Sequence, residues 1–291
     1  MTGPIGPLGD AGWPFDGAVA LTLDLECDYG TALETNTYEA ARRTPKLRSL
    51  LETYDVPLTC FLQTELLEDA PEAVESLERA SVPVEFHAHS HTHPHPKRAD
   101  FAAELDESLE RIDDRYANEV VGYRFPDGAI PSDGYELLAE REVDFSSSLF
   151  PTWRPGRFDN IDRPIFPHAP RPDLVELPLT PFSSTVRVPV SLSYLKVLGR
   201  PYQWLTERRP PSVIVFDLHM HDLTTPSAID SLPSSYRLLY ERRRDRGYAI
   251  LRSFIETLQR RGFRFVTMSE LYAAFENASD DRSETDARIT R

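Results

Sequence analysis

Five of the eight histidines occupy alternate positions of one nine-residue stretch, His87-Ala-His89-Ser-His91-Thr-His93-Pro-His95. An acidic group, Asp24-Leu-Glu26-Cys-Asp28, closes an apolar run upstream, and His219 and His221 end another apolar run downstream. Imidazole and carboxylate together are the ligand set of a borderline divalent cation such as zinc. The three clusters therefore point to a metal hydrolase. In an extended strand His89 and His93 would stand roughly 13 Å apart, at ~3.3 Å per residue, too far to share an ion lying ~2 Å from each nitrogen. A shared ion requires a sharp turn after a strand that ends near Phe86. Pro94 and Pro96, which remove ladder donors and fix φ, suit such a turn. The plainer alternative is a solvated histidine tract that scavenges metal weakly.

The elements that must hold these groups are legible as short apolar runs alternating with one-sided helical stretches, the pattern of parallel strands with crossover helices. Strands are expected at Ala18–Leu23, Pro57–Leu62, Val82–Phe86, Val120–Tyr123, Val143–Phe145, Leu174–Leu177, Ser212–Phe216 and Phe263–Thr267. Apolar spacing predicts helices over Tyr38–Thr53, Glu72–Ala80, Phe101–Tyr116, Gly134–Arg141 and Tyr248–Arg261. Residues 151–172, rich in Pro and Arg, read as a long irregular loop of the kind that is usually functional. Four polar clusters, Asp24 to Asp28, His87 to His95, Arg124 to Gly128 and His219 to Asp222, each follow directly on a strand. In a parallel α/β barrel the carboxyl ends of the strands form one face, where the active site lies, so four clusters there imply one site.

Composition narrows the function classes. Acidic residues outnumber basic ones 47 to 32, the net charge is −15, and no basic stripe stands out, which argues against a nucleic-acid partner. Lys46, Lys97 and Lys196 are the only lysines. An excess of carboxylate with so little lysine is expected of a protein that works in high salt, where self-repulsion is screened; an ordinary acidic enzyme is the alternative. Cys27 and Cys60 are too few for a disulfide framework and read as buried apolar residues. The first twelve residues lack a cationic and apolar leader, and no run is long enough for a membrane span, so a cytoplasmic location is expected. The domain organisation expected is a flexible segment 1–17, one domain 18–276 and a disordered polar tail 277–291.

The sequence resembles the polysaccharide deacetylases with the NodB homology domain, also called carbohydrate esterase family 4. The resemblance runs from about Ala18 to Phe275. It rests on Leu21-Thr-Leu-Asp24-Leu-Glu26, Val56-Pro-Leu-Thr-Cys-Phe-Leu62, His89-Ser-His-Thr-His93-Pro94, Arg124-Phe-Pro126-Asp-Gly128, Phe145-Ser-Ser-Ser-Leu-Phe-Pro151 and Leu218-His219. It implies a distorted (β/α) barrel with fewer than eight regular strands, and removal of acetyl groups from N- or O-acetylated sugars with a bound divalent metal. Zinc is the expected ion, with cobalt, nickel or iron suited to the same donors. By the same resemblance Asp24 is the general base, Arg124 its ion-pair partner, His89 and His93 two metal ligands, and His219 the general acid that protonates the departing amine. Glu26, two positions after Asp24 and so on the same strand face, is the chosen acidic ligand, with Asp28 as the alternative. A backbone N–H between Pro126 and Gly128 would share the oxyanion charge with the metal.

The chain departs from the family pattern in two places. Adjacent aspartates are common after the first strand, where this chain has Asp-Leu-Glu-Cys-Asp. Ser146-Ser147-Ser148 stands where many members have Asp-Ser-Ser, so the carboxylate that orients the acid histidine must be sought at Asp144, Asp217 or Asp222. His221 competes with His219 for the acid's role, while His87, His91 and His95 read as supporting or solvent-facing. The leading expectation is a deacetylase acting on an N-acetylated sugar, with a hydrolase of another C–N bond, such as a cyclic ureide or imide, second, and a noncatalytic metal- or glycan-binding protein third. Specificity is expected to reside in 151–172 and 181–199; the oligomeric state is left open by the sequence.

Overall fold

A computed structural model describes residues 17–155 and 157–289, with side chains through 278. The flexible N-terminal segment expected from the sequence falls, apart from Gly17, outside the described residues. Five parallel strands, β1 (Ala18–Leu25), β2 (Leu58–Leu62), β3 (Val84–Ala88), β4 (Gly122–Tyr123) and β5 (Phe145–Ser146), lie side by side in chain order. A two-stranded hairpin of β6 (Trp153–Arg154) and β7 (Phe158–Asp159) stands apart from the sheet. The chain then returns as β8 (His168–Arg171), antiparallel to β9 (Leu174–Glu176), which continues the sheet beside β5. Finally β10 (Val213–His219) pairs along one edge of β1, and β11 (Arg264–Val266) pairs with its first residues, Ala18 to Ala20.

The nine-stranded sheet is the mixed α/β, mostly parallel architecture of a distorted barrel, and its ladder does not close. Between β9 and β10 the gap is crossed at Thr180, whose hydroxyl accepts from the Val215 N–H at 2.9 Å. Seven of the nine strands reach three residues or more, because β4 and β5 contribute two each. Gly122 explains the brevity of β4: a Cβ there would lie 2.2 Å from the Phe145 ring, so the inner face admits the ring only where a side chain is missing.

Strand alternation sorts the side chains of β1 and β10 into two populations. Val19, Leu21, Leu23, Leu25, Ile214, Phe216 and Leu218 face the outer layer of helices. Ala18, Ala20, Phe61, Phe145, Val175, Val213, Val215 and Val266 form a separate inner cluster. Each inner series turns polar as it climbs: Ala18, Ala20, Thr22, Asp24 on β1 and Val213, Val215, Asp217, His219 on β10. One buried face therefore serves as core at the amino ends of the strands and as chemistry at the carboxyl ends.

All eight strands read from the sequence are present, with shifted ends: β3 runs two residues past Phe86, and β10 runs on to His219. Residues 151–172 are not wholly irregular, since β6, β7 and β8 lie within them; runs of two to four residues broken by proline carry no readable period. Helices Leu192–Leu198 and Arg200–Arg208 are not among those expected from apolar spacing. The last helix, Met268–Ile289, continues through most of the tail expected to be disordered from Asn277. It contains neither Pro nor Gly, so nothing in that stretch stops it.

That helix starts on the inner face, where Met268 and Leu271 join the inner cluster. Thr267 and Glu270 form a reciprocal cap, each side chain accepting from the other's backbone N–H at 3.2 and 2.8 Å. The Glu85 carboxylate accepts the N–H groups of Met268 and Ser269 at 2.8 and 3.1 Å, and the Thr59 hydroxyl at 2.6 Å. Burial pushes the Glu85 carboxyl up, but His87 beside it and these donors outweigh burial and hold it down at about 2. A carboxylate depressed in the folded state contributes stability that is present above its unfolded pKa and lost as pH falls through the folded value. Glu85→Gln is expected to lower stability at pH 7 by about 1–3 kcal/mol. Denaturant titrations of both proteins should show the deficit shrinking as pH falls from the ordinary carboxylate range toward about 2; a deficit independent of pH would contradict this account.

Candidate active site

Six residues expected to act together, Asp24, Glu26, His89, His93, Arg124 and His219, meet at the carboxyl ends of β1, β3, β4 and β10. The β1 to β10 register sets Asp24 opposite His219, and β1 alternation places Asp24 and Glu26 on one side. Glu26, His89 and His93 converge so that one donor atom from each lies within 4.8 Å of the others. Nε2 of His93 lies 2.6 Å and Nε2 of His89 3.2 Å from Glu26 Oε2. The short His93 contact has no hydrogen-bond geometry, and both ring nitrogens of His93 are buried without a hydrogen-bond partner. A carboxylate and two imidazoles gathered around an orphaned ring nitrogen fit a divalent cation, with an open side for water as a catalytic site needs. Asp28 turns away, its carboxylate accepting the Ala40 and Glu39 N–H groups and the Thr37 hydroxyl.

The turn that brings the two histidines together is neither a helix nor a strand. Ser90 and His93 adopt left-handed conformations, with φ of 65° and 56°, and the Ser90 hydroxyl accepts the His93 N–H at 3.1 Å. Glu104, from helix Phe101–Tyr116, accepts the N–H groups of His91 and Thr92 at 2.9 and 2.7 Å. The result is a separation of 5.4 Å between the His89 and His93 ring centroids. His89 is oriented by Nδ1, 2.8 Å from the Arg124 carbonyl, which leaves Nε2 facing Glu26. Gly30 matters here: at φ +52° its missing Cβ would sit 3.0 Å from His93 Cε1. The remaining histidines of the tract point elsewhere. His87 is buried between Phe61 and Phe145, His91 bonds Thr64, and His95 is exposed.

Arg124 is fully buried. Its Nη1 lies 2.6 Å from Asp24 Oδ1, 3.4 Å from Asp217 Oδ1 and 2.9 Å from the Thr22 hydroxyl, while Nε donates to the Ser147 carbonyl at 2.7 Å. Its guanidinium also stands 4.0 Å over the Phe61 ring. Asp24 is thus held through one oxygen, and Oδ2 faces His89 and His219 at 3.8 and 3.7 Å.

His219 is the one partly exposed member of the group, with 20% of its side chain accessible. Nδ1 lies 3.5 Å from Asp222 Oδ2 and 4.0 Å from Asp217 Oδ2, and Nε2 lies 3.8 Å from Glu26 Oε1. Burial disfavours the imidazolium, yet Asp217, Glu26, Asp222 and Asp24 outweigh it and raise His219 well above the usual histidine range. Asp144 is excluded from orienting it, since that carboxylate accepts the Val121 N–H at 2.7 Å on another strand. Asp222 is itself anchored by buried Lys196, at 3.3 Å, and by Ser193. Burial and the neighbouring His219 charge push His221 down to about 4, and its Nδ1 accepts the Tyr29 N–H at 3.2 Å. A neutral, committed His221 is poorly suited to donate a proton. Sequence reasoning missed Lys196 and Glu104 as supports, because each reaches the site from another segment, and Thr22, because a threonine within a strand carries no signal of its own.

The site opens into a cavity of about 490 Å³, lined by Asp24, Glu26, His219, Tyr29, Tyr240 and Arg154 among others. A hollow of about 590 Å³ around Asn36, Arg42 and Ser227 contains none of these groups.

Residues 16–145 match the polysaccharide deacetylase family model. Among curated proteins, none matches the sequence significantly. The fold is similar to that of a Mycobacterium smegmatis protein assigned to the polysaccharide deacetylases, at 20% identity over 94% of this chain and 96% of that one, TM-score 0.60. It is also similar to a PuuE allantoinase, at 15% identity over 95% and 94%, TM-score 0.56. A carbohydrate esterase family 4 pseudoenzyme from Bacillus anthracis is similar at 14% identity over 88% and 66%, TM-score 0.50. The matched segment 16–145 carries Asp24, Glu26, His89, His93 and Arg124, and over that segment the chain is similar to the polysaccharide deacetylase family.

Proposed function

We propose that this chain is a metal-dependent hydrolase that removes the acetyl group from an N-acetylated sugar. The observation that carries the proposal is the placement of Asp24 and His219 around the Glu26, His89 and His93 group, with their facing atoms 3.7 Å apart. A binding protein needs the ligand group alone; a hydrolase needs a base and an acid beside it as well. A divalent cation held by Glu26, His89 and His93, for which zinc is the best fit, supplies Lewis acidity and lowers the pKa of water toward about 7.

The residues of the chain supply the remaining steps. Arg124 fixes the Oδ1 of Asp24, so the free Oδ2 receives the proton of the attacking water. The amide nitrogen leaves as an amine only when protonated, and His219, kept charged by the carboxylates around it, gives it that proton. The Asp222 carboxylate lies 3.5 Å from His219 Nδ1, an ion-pair contact that leaves Nε2 for transfer, and Lys196 holds Asp222. Asp222 thereby takes over the orienting role that many relatives give to a carboxylate at the position of Ser146.

A hydrolase of a cyclic ureide or imide is the second reading, favoured by the cavity: about 490 Å³ lies within the roughly 300–1,000 Å³ range of small-molecule sites. Acetate release from N-acetylated oligosaccharides, N-acetylated monosaccharides and nucleotide sugars, alongside allantoin opening, separates the two. Zinc-reloaded protein is expected to release acetate and metal-stripped protein is not. Asp24→Asn should retain zinc at one equivalent and lose on the order of 10²–10⁴ in kcat. Opening of allantoin with no acetate release would replace the deacetylase reading with the ureide one, and zinc bound at less than half an equivalent would remove the metal from both.

His219→Gln gives a second expectation. With Nε2 of His219 at 3.8 Å from Glu26, outside the ligand group, zinc content should be unchanged while kcat falls by about 10²–10⁴. A loss of zinc with activity would make His219 a ligand rather than the acid.

A further inference from the structure

Four cations border the site, and three have an anion of their own. Arg124 is paired with Asp24 at 2.6 Å, Arg157 with Asp127 at 2.5 Å, and Lys196 with Asp222 at 3.3 Å. Arg154 is the fourth. It lies on β6 next to Trp153, whose side chain points out and is 57% exposed. Alternation therefore turns Arg154 inward, and it lines the cavity that holds Asp24, Glu26 and His219. Among the described residues its guanidinium has neither an ion pair nor a hydrogen bond, unlike Arg157 three positions on.

Arg157 explains why Arg154 can be held there without a partner. It joins the hairpin to Asp127 and to the hydroxyls of Thr31 and Tyr236, at 2.5, 3.3 and 3.4 Å. The strand carrying Arg154 is thus tied to the loops after β1 and β4 and to helix Ser234–Glu241, all of which border the cavity. Asp127 is held at φ 58°, an uncommon backbone state for a residue with a side chain. Tyr194, Tyr240 and Phe150 supply flat apolar wall around the guanidinium. A planar five-donor cation in a walled cavity, with no internal acceptor, recognises a carboxylate or phosphate in two-pronged fashion.

We propose that Arg154 is the anion-recognition residue of this site, and that the natural substrate is a small N-acylated compound bearing a carboxylate or phosphate rather than a neutral polymer. This rests on the deacetylase reading only for the bond that is cut. Anion binding in the cavity can be measured without turnover. The zinc-loaded Asp24→Asn protein, titrated calorimetrically at low salt with N-acetylglucosamine, its tetrasaccharide, N-acetylglucosamine 6-phosphate and N-acetylmuramate, should bind at least one of the two anionic sugars tenfold or more tighter than either neutral one. Which of them it is distinguishes phosphate from carboxylate. Adding Arg154→Gln should erase the preference, while Arg154→Lys, which keeps the charge but not the fork, should retain part of it. Equal affinity for charged and neutral sugars, including no measurable binding of either, overturns the proposal, as does a preference that survives Arg154→Gln. Anion-selective binding with no acetate release by the wild-type protein would leave the subsite in place and remove the deacetylase reading; acetate release with no anion preference would do the reverse.

Discussion

Arg124 is a guanidinium with no access to water, and the arrangement around it follows from that constraint. A buried cation must be neutralised and have its donors satisfied, or it costs several kcal/mol. Here Asp24 and Asp217 provide the charge, Thr22 and Ser147 accept further donors, and the Phe61 face covers the plane. These partners come from β1, β2, β10 and the segment after β5, so one side chain fixes the relative position of four stretches of chain. The same contacts fix the Asp24 carboxylate deep in the protein. One interaction thus serves both the packing of the core and the placement of the proposed base.

The inner face of the sheet extends this logic along each strand. Its lower rungs are small or apolar, Ala18, Ala20, Val213 and Val215, and its upper rungs are Thr22, Asp24, Asp217 and His219. Because the period is two, the apolar rungs below determine which polar residues above can point inward. A one-residue shift in β10 would turn Leu218 inward and His219 toward the helices. The register of a core strand therefore decides the direction of the acid, and the packing that resists slippage protects the chemistry.

Much of this was readable in the sequence, for an identifiable reason. The strands are apolar runs, and polar residues placed directly after them have few other places to go in a parallel sheet, so the clusters at Asp24 to Asp28, His87 to His95, Arg124 to Gly128 and His219 to Asp222 could be brought to one face from spacing, while the choice of residue within each came from the family resemblance. The capping signal Thr267-Met-Ser-Glu270 was equally present but lay beyond the segments that carry the chemistry. What the sequence did not disclose were contacts across long separations between residues of ordinary type. Glu104 sits in an amphipathic helix like its neighbouring acids, and only the fold places it against the His91 and Thr92 amides. β6 and β7 are two residues each, too short to have a period, yet they carry Arg154 and border the cavity.

The proposed acid, His219, is placed by a different solution from the proposed base, Asp24. Asp24 is held by a cation that is itself anchored in the core; His219 is held by Asp222, three residues away on the same turn, and Asp222 needs an anchor of its own. Lys196 provides it, donating to both the Asp222 carbonyl and its carboxylate. In a chain with three lysines, and with arginine supplying nearly all other positive charge, a buried lysine at this point has a physical rationale. Asp222 presents a backbone oxygen and a carboxylate oxygen within reach of one compact ammonium. Charge then runs in sequence from Lys196 through Asp222 to His219, each group neutralising the next.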